Sequence, residues 1–179
     1  SAKRFTPAAL RKVEGHFAQM SHDFASEFLT ELKGAGKRGE TTDFVKGFAE
    51  KLPLAAIGEM MGLPTGDWKR LKQITNVMIG APEVDFFNEG EDRNTGVWRA
   101  MDEMTDYMIG VIRDREARGP ENDDLSTQIV HAMLDGKRLT DQQLQGYLFV
   151  ILAAGNETTQ NAITGGVAAL LEHPEQVKL

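Results

Sequence analysis

The chain has 179 residues, 41% of them hydrophobic and 26% charged, with a formal net charge of -7 and no cysteine. These proportions suit one globular domain or a large piece of one, and an acidic balance without a basic stripe argues against a nucleic-acid partner. The missing cysteines exclude a disulfide, a thiolate metal site and a cysteine nucleophile within these residues.

In chain order, Phe5-Thr6-Pro7 is a helix-start signal, with Thr6 as cap and Pro7 at the first helical position. Apolar residues then recur at helical spacing at Leu10, Val13, Phe17, Met20, Phe24, Phe28 and Leu32, and the glycine-rich segment 34–39 predicts the end of that helix. Residues 41–44 read as a very short strand or a cap. A second helix is predicted over 44–61, kinked or restarted at Pro53. Gly62-Leu63-Pro64 breaks the chain, and a third helix covers about 67–79. Residues 80–94 form an acidic loop in which Phe86 and Phe87 are expected to be exposed, and loops of this length are usually functional or mobile.

A fourth helix over 95–118 carries the stripe Val97, Met101, Met104, Met108, Val111 and Ile112 and ends at Gly119-Pro120. A short fifth helix is predicted over 124–134, closed at Gly136. Thr140 then opens a long helix, 140–172, through a capping box with Gln143. At about 1.5 Å per residue that helix spans about 48 Å. His173-Pro174 ends it, and Pro174 starts another turn. The fold class is mainly α, with one or two tiny strands at most. The longest strictly apolar run, 147–154, is well short of the ~18 residues that suggest a membrane span. The N-terminal SAKRFTPAAL has no apolar signal-peptide core, so the expectation is a soluble, cytoplasmic protein.

The long helix is interrupted in its apolar run by Ala154-Gly155-Asn156-Glu157-Thr158-Thr159. Its four glycines, Gly146, Gly155, Gly165 and Gly166, each cost roughly 0.8–1 kcal/mol relative to alanine, so packing or function must compensate. Steps of three and four place Ile151, Ala154, Gly155, Thr158, Ala162 and Gly165 on one face, with a bare patch at Ala154 and Gly155. A planar body or a neighbouring helix could lie against it. Thr158 can bond back to the carbonyl of Ala154, loosening the ladder and opening a groove beside Gly155. Burial of Glu157 would raise its pKa and suit it to proton delivery. The same residues also fit a tight helix crossing with locally satisfied polar groups, and both readings remain open at this point.

AGNETT matches the (A/G)-G-x-(D/E)-T-(T/S) signature of the cytochrome P450 family's long central helix, and its flanks FVILAA and QNAITGGVAALLEHPEQ resemble the bacterial members. FTPAAL, LPLAAIGEMMGLP and KRLTDQQL resemble family segments in the same order, so the resemblance covers essentially the whole chain. It implies that residues 1–179 are the central helical portion of a single cytochrome P450 domain, without the E-x-x-R helix and the cysteine loop of the thiolate ligand. Such a portion would itself be inactive. It implies Glu157 and Thr158 as the acid–alcohol pair of proton delivery to dioxygen, and Ala154, Gly155 and Thr158 as contacts of haem b. Ile151, Asn161, Phe86 and Phe87 would lie on the substrate side or at its access mouth. The parent would insert one oxygen atom of O2 into a small apolar substrate, terpenoid, steroid or fatty-acid-like. Its electrons would come from NAD(P)H through a ferredoxin and ferredoxin reductase.

Two alternatives accompany that reading. One is peroxygenase-type chemistry on the same scaffold, against which the Glu157–Thr158 pair argues. The other is a standalone helical binding module without haem. No metal site is expected from His16, His22, His131 and His173, because no two share a helical face. Met101, Met104 and Met108 read as a core stripe, Trp68 and Trp98 as packing residues, and Arg113, Arg115 and Arg118 as complements to a helix dipole.

Overall fold

A computed structural model describes the backbone of residues 7–80 and 87–178, with side chains over 13–80 and 87–177. Its helices are α1 (Pro7–Arg38), α2 (Lys51–Met60), α3 (Trp68–Met78), α4 (Arg93–Arg118), α5 (Leu125–Val130) and α6 (Asp141–Glu172). A π-helical turn, Val45–Ala49, precedes α2, and 3-10 turns occupy Thr65–Asp67 and Pro174–Lys178. The mainly α class read from the sequence is what the structure has. The chain divides into two units, one over Ile57–Ala153 and the other combining Ala2–Ala56 with Ala154–Leu179.

Within the first unit, the core is built from Ile57, Met61 and Leu63, from Leu71, Ile74 and Val77 of α3, from α4 and α5, and from Leu144, Leu148 and Leu152 of α6. The predicted α4 stripe holds at Met104, Met108, Val111 and Ile112, whereas Met101 is exposed and Ala100 takes an inner position. Arg70 of α3 clasps Glu103 of α4 with two bonds of 2.6 Å. Trp68 is a packing residue: its indole donates to the Leu63 carbonyl at 3.0 Å, and its ring lies so close to Gly58 that a Cβ there would fall 2.4 Å from it. Tyr107 donates to Asp67 at 2.9 Å; burial, then that bond, pushes its phenol above the usual range.

The C-terminal turns of α4 correct the sequence reading. Arg115 is not a solvated complement to the helix dipole. Its side chain is 5% exposed and bonds to Asp124 at 3.1 Å, to the Gly62 carbonyl at 2.6 Å and to Asp114. Asp124 also caps α5, accepting from the Thr127 amide and hydroxyl, each at 2.8 Å. Burial pushes the Asp124 carboxyl up, but the Thr127 bonds and the Arg115 guanidinium outweigh it and hold the group below the usual carboxylate range. Arg113 and Arg118 are the exposed cations expected, yet Arg113 reaches Asp141 at the start of α6.

In the second unit, α1 continues through Gly34 and Gly36 to Arg38, past its predicted end. Its stop is Gly39, at φ 72°, where the amides of Gly39 and Glu40 bond back to the carbonyls of Gly36 and Ala35. Ala35 is buried inside the glycine-rich stretch, so packing offsets the propensity cost. The cap proposed at Thr6 lies outside the described residues. Asp43 caps the next turn through the amides of Val45 and Lys46, which settles the strand-or-cap alternative in favour of the cap. The Phe28, Phe44 and Phe48 rings gather around Gly47, where a Cβ would fall 2.6 Å from Phe28. Pro53 is an internal residue of α2, and the restart falls before it, at Glu50.

The predicted fifth helix runs four residues past the observed end at Val130. After α5 the chain forms a two-residue hairpin, β1 (Met133–Leu134) against β2 (Lys137–Arg138), in register Met133↔Arg138. Asp135 and Gly136 both have positive φ, 50° and 73°, the geometry of an Asp-Gly hairpin turn.

Candidate functional site on the long helix

The start of α6 follows from local chemistry. Thr140 Oγ1 accepts from the Gln143 amide at 3.3 Å, and Gln143 Oε1 accepts from the Thr140 amide at 2.9 Å. This is the capping box the sequence predicts. Thereafter α6 is one continuous helix of 32 residues.

Its faces differ sharply. Leu144, Leu148, Leu152 and Asn156, at steps of four, are buried. The opposite face exposes Tyr147 (53%), Val150 (58%), Ala154, Thr158, Asn161, Ala162 and Gly165. The helix is therefore not buried all round, as its apolar composition suggests. Small residues dominate the exposed face around Ala154, and a Cβ added at Gly146, Gly165 or Gly166 would meet nothing within 4 Å.

Thr158 donates to the Ala154 carbonyl at 2.6 Å, the back-bond expected of it. Thr159 does the same to Gly155 at 3.3 Å and Thr164 to Gln160 at 2.9 Å. The helix nevertheless continues unbroken through these residues, because a carbonyl has two lone pairs and can accept a hydroxyl beside its ladder bond. The back-bond leaves the lone pairs of Thr158 Oγ1 free to accept from a donor on the exposed face. Glu157 and Gly155 are half-buried, Asn161 is exposed, and Ile151 is half-buried against the core.

The aromatic pair of the acidic loop is not the exposed couple expected. Phe86 lies outside the described residues. Phe87 is half-buried, with its ring against Gly96 of α4, where a Cβ would fall 2.3 Å from it. Glu91 secures that corner. It accepts from Arg99 at 2.8 Å and from the Asn88 amide at 2.9 Å, and these bonds lower its pKa to about 2.

A separate cavity of about 190 Å³ is lined by Met78, Met104, Thr105, Met108, Gln142, Gln145, Gly146 and Phe149, none of them a predicted site residue. The sequence signal for it was the methionine stripe, which reads as core and is core on one side only. Among the described residues, no group of three or more His, Cys, Asp or Glu could hold a metal ion. No helix among them is long and apolar enough to cross a membrane.

A flat cofactor fits the exposed face of α6 by one criterion, the run of small side chains around Ala154 and Thr158. With no cysteine present, these residues offer contact and hydrogen bonding but no thiolate.

No protein-family model matches the chain. The fold is that of solved cytochromes P450. The Bacillus subtilis PksS of bacillaene polyketide synthase superposes with a TM-score of 0.79 at 30% identity, over 98% of this chain and 41% of that one. Two Mycobacterium tuberculosis proteins match in sequence. A methyl-branched lipid omega-hydroxylase is 31% identical over 98% of this chain and 38% of its own length, and a steroid C26-monooxygenase is 29% identical over 99% and 37%. The chain belongs to the cytochrome P450 family. It spans about two fifths of the length of the curated relatives it matches.

Proposed function

We propose that the protein carrying this chain is a haem-thiolate monooxygenase that places one oxygen atom of O2 into an apolar substrate. The observation that carries the reading is the exposed face of α6, where small residues flank a hydroxyl whose acceptor side is free and a half-buried carboxylate directly precedes it in sequence. Haem b, with a thiolate from outside these residues, supplies the activation of dioxygen when bound. Ala154, Gly155 and Thr158 form the surface that would hold its distal side. Thr158 accepts a hydrogen bond from a donor on that face while its own hydroxyl proton is donated to the Ala154 carbonyl. Glu157 delivers protons beside it. Ile151 and Asn161 are assigned to the substrate side of the helix, and Phe86 and Phe87 to the access region.

A fatty-acid-like, terpenoid or steroid substrate accords with the names of the relatives, one acting on a methyl-branched lipid and another on a steroid. Electrons from NAD(P)H through a ferredoxin and its reductase, a cytoplasmic setting, and inactivity of residues 1–179 alone complete the proposal. The test is turnover of a branched fatty acid or a sterol by the full-length protein with NADPH, ferredoxin and reductase under labelled O2. One labelled oxygen atom per product molecule is expected. Faster turnover with hydrogen peroxide than with the electron chain would replace the monooxygenase reading with a peroxygenase one.

A further inference from the structure

The buried stripe of α6 changes character along its length. Leu144, Leu148 and Leu152 are followed, at the same step of four, by Asn156 and Gln160. Asn156 is 2% exposed, and its Oδ1 accepts no hydrogen bond from the protein. The Oε1 of Gln160 is equally buried and equally without a protein donor. Buried acceptors are nearly always satisfied, since each one left bare costs its full desolvation penalty. Two adjacent bare acceptors therefore mark a place for a donor.

The geometry narrows that donor. Side chains four apart on a helix have Cβ atoms about 5–6 Å apart, a span that one water bridges with two ordinary hydrogen bonds. A water has two hydrogens to give, and the two amide oxygens need one each. Gln160 also stands three residues beyond Glu157, so it neighbours Glu157 on one side and Asn156 on the other. A water that held its oxygen inward would leave its amide NH2 to face the Glu157 side of the helix.

We propose that Asn156 and Gln160 hold one internal water on the buried side of α6, and that this water makes Gln160 a positioning residue for Glu157. The second half of the proposal rests on the acid role given to Glu157 above; the water site does not. The two amides act through Glu157, on the side of the helix away from Thr158.

The experiment is a water-resolving crystal structure of the full-length protein, alongside Asn156→Leu and Gln160→Met, with the solvent deuterium isotope effect on oxygen-dependent turnover measured for all three. The expected result is a water within about 3.2 Å of both amide oxygens, its loss in each variant, and an altered isotope effect in Gln160→Met. Asn156→Asp, which keeps an acceptor, restores the water. Protein donors on both oxygens in the wild type, or a water undisturbed in both variants, would overturn the site. A lost water with an unchanged isotope effect would overturn the link to Glu157. Absence of any oxygen-dependent turnover would strike the proposed function alone, since the density maps decide the water site separately.

Discussion

The last turns of α4 and the middle of α6 are both polar interruptions of long helices, and they are settled in opposite ways. Around Arg115, the guanidinium and the capping carboxylate find partners in the same unit: guanidinium with carboxylates and the Gly62 carbonyl, Asp124 with Thr127. In the middle of α6, the Thr158 hydroxyl uses only its own helix, the small side chains beside it face outward, and on the buried side two amide oxygens have no protein donor. A closed polar cluster serves the fold. An open one has acceptors and surface to offer to something else, and that difference, rather than residue type, separates the structural arginine from the candidate catalytic threonine.

The contrast can be broken most forcefully at Arg115. Arg115→Ala removes the buried guanidinium and leaves the half-buried capping carboxylate of Asp124 without its cation, and removing one partner of a buried pair costs about 3–5 kcal/mol. Chemical denaturation of the full-length protein should show a loss of that order. A loss within the range of a surface substitution would mean the cluster is not closed.

Next in size come the close glycine contacts. Gly58→Ala would drive a methyl into the Trp68 ring, and Gly96→Ala would do the same to Phe87. Overpacking of this kind typically costs about 1–3 kcal/mol, and fluorescence of Trp68 should report its displacement in the first variant.

Smaller again is the acid dependence of the α4 corner. The folded pKa of Asp124 is depressed, so its stabilisation is fully present above the unfolded value of about 4 and is lost as pH falls through the folded value. Denaturation midpoints measured down an acid series should fall less steeply in Asp124→Asn than in the wild type. Equal slopes would remove Asp124 from the acid response.

Much of this contrast was readable in the chain itself, and what was missed has a common cause. The Thr140–Gln143 capping box and the Thr158 back-bond depend on residues three or four apart, and both form as predicted. The glycine stops at Gly62 and Gly119 are likewise local, with positive φ at each. The burial of Arg115 depends on Gly62 and Asp124, which no helical periodicity connects to it. The ring of Phe87 is half-buried against Gly96, nine positions further along the chain, so a loop of acidic composition conceals it. The Asp135-Gly136 hairpin is a local signal masked by the apolar Met133 and Leu134, which extend the period of α5. The extension of α1 through Gly34 and Gly36 reflects tertiary burial of Ala35 overriding propensity. For the candidate site, the motif points to the middle of α6 and to Thr158, whose back-bond to Ala154 forms as the spacing predicts. It did not reveal that Asn156 and Gln160 continue the leucine stripe.

The most direct measurement is the coupling of oxygen use to product in Thr158→Ala of the full-length protein. Thr158 is exposed and bonds only to its own helix, so stability should change by no more than about 0.5 kcal/mol, as for other surface substitutions. The account predicts sustained NADPH consumption with less hydroxylated product and peroxide released in its place. Coupling equal to the wild type would contradict it, and would leave the polar centre of α6 without a role in the chemistry.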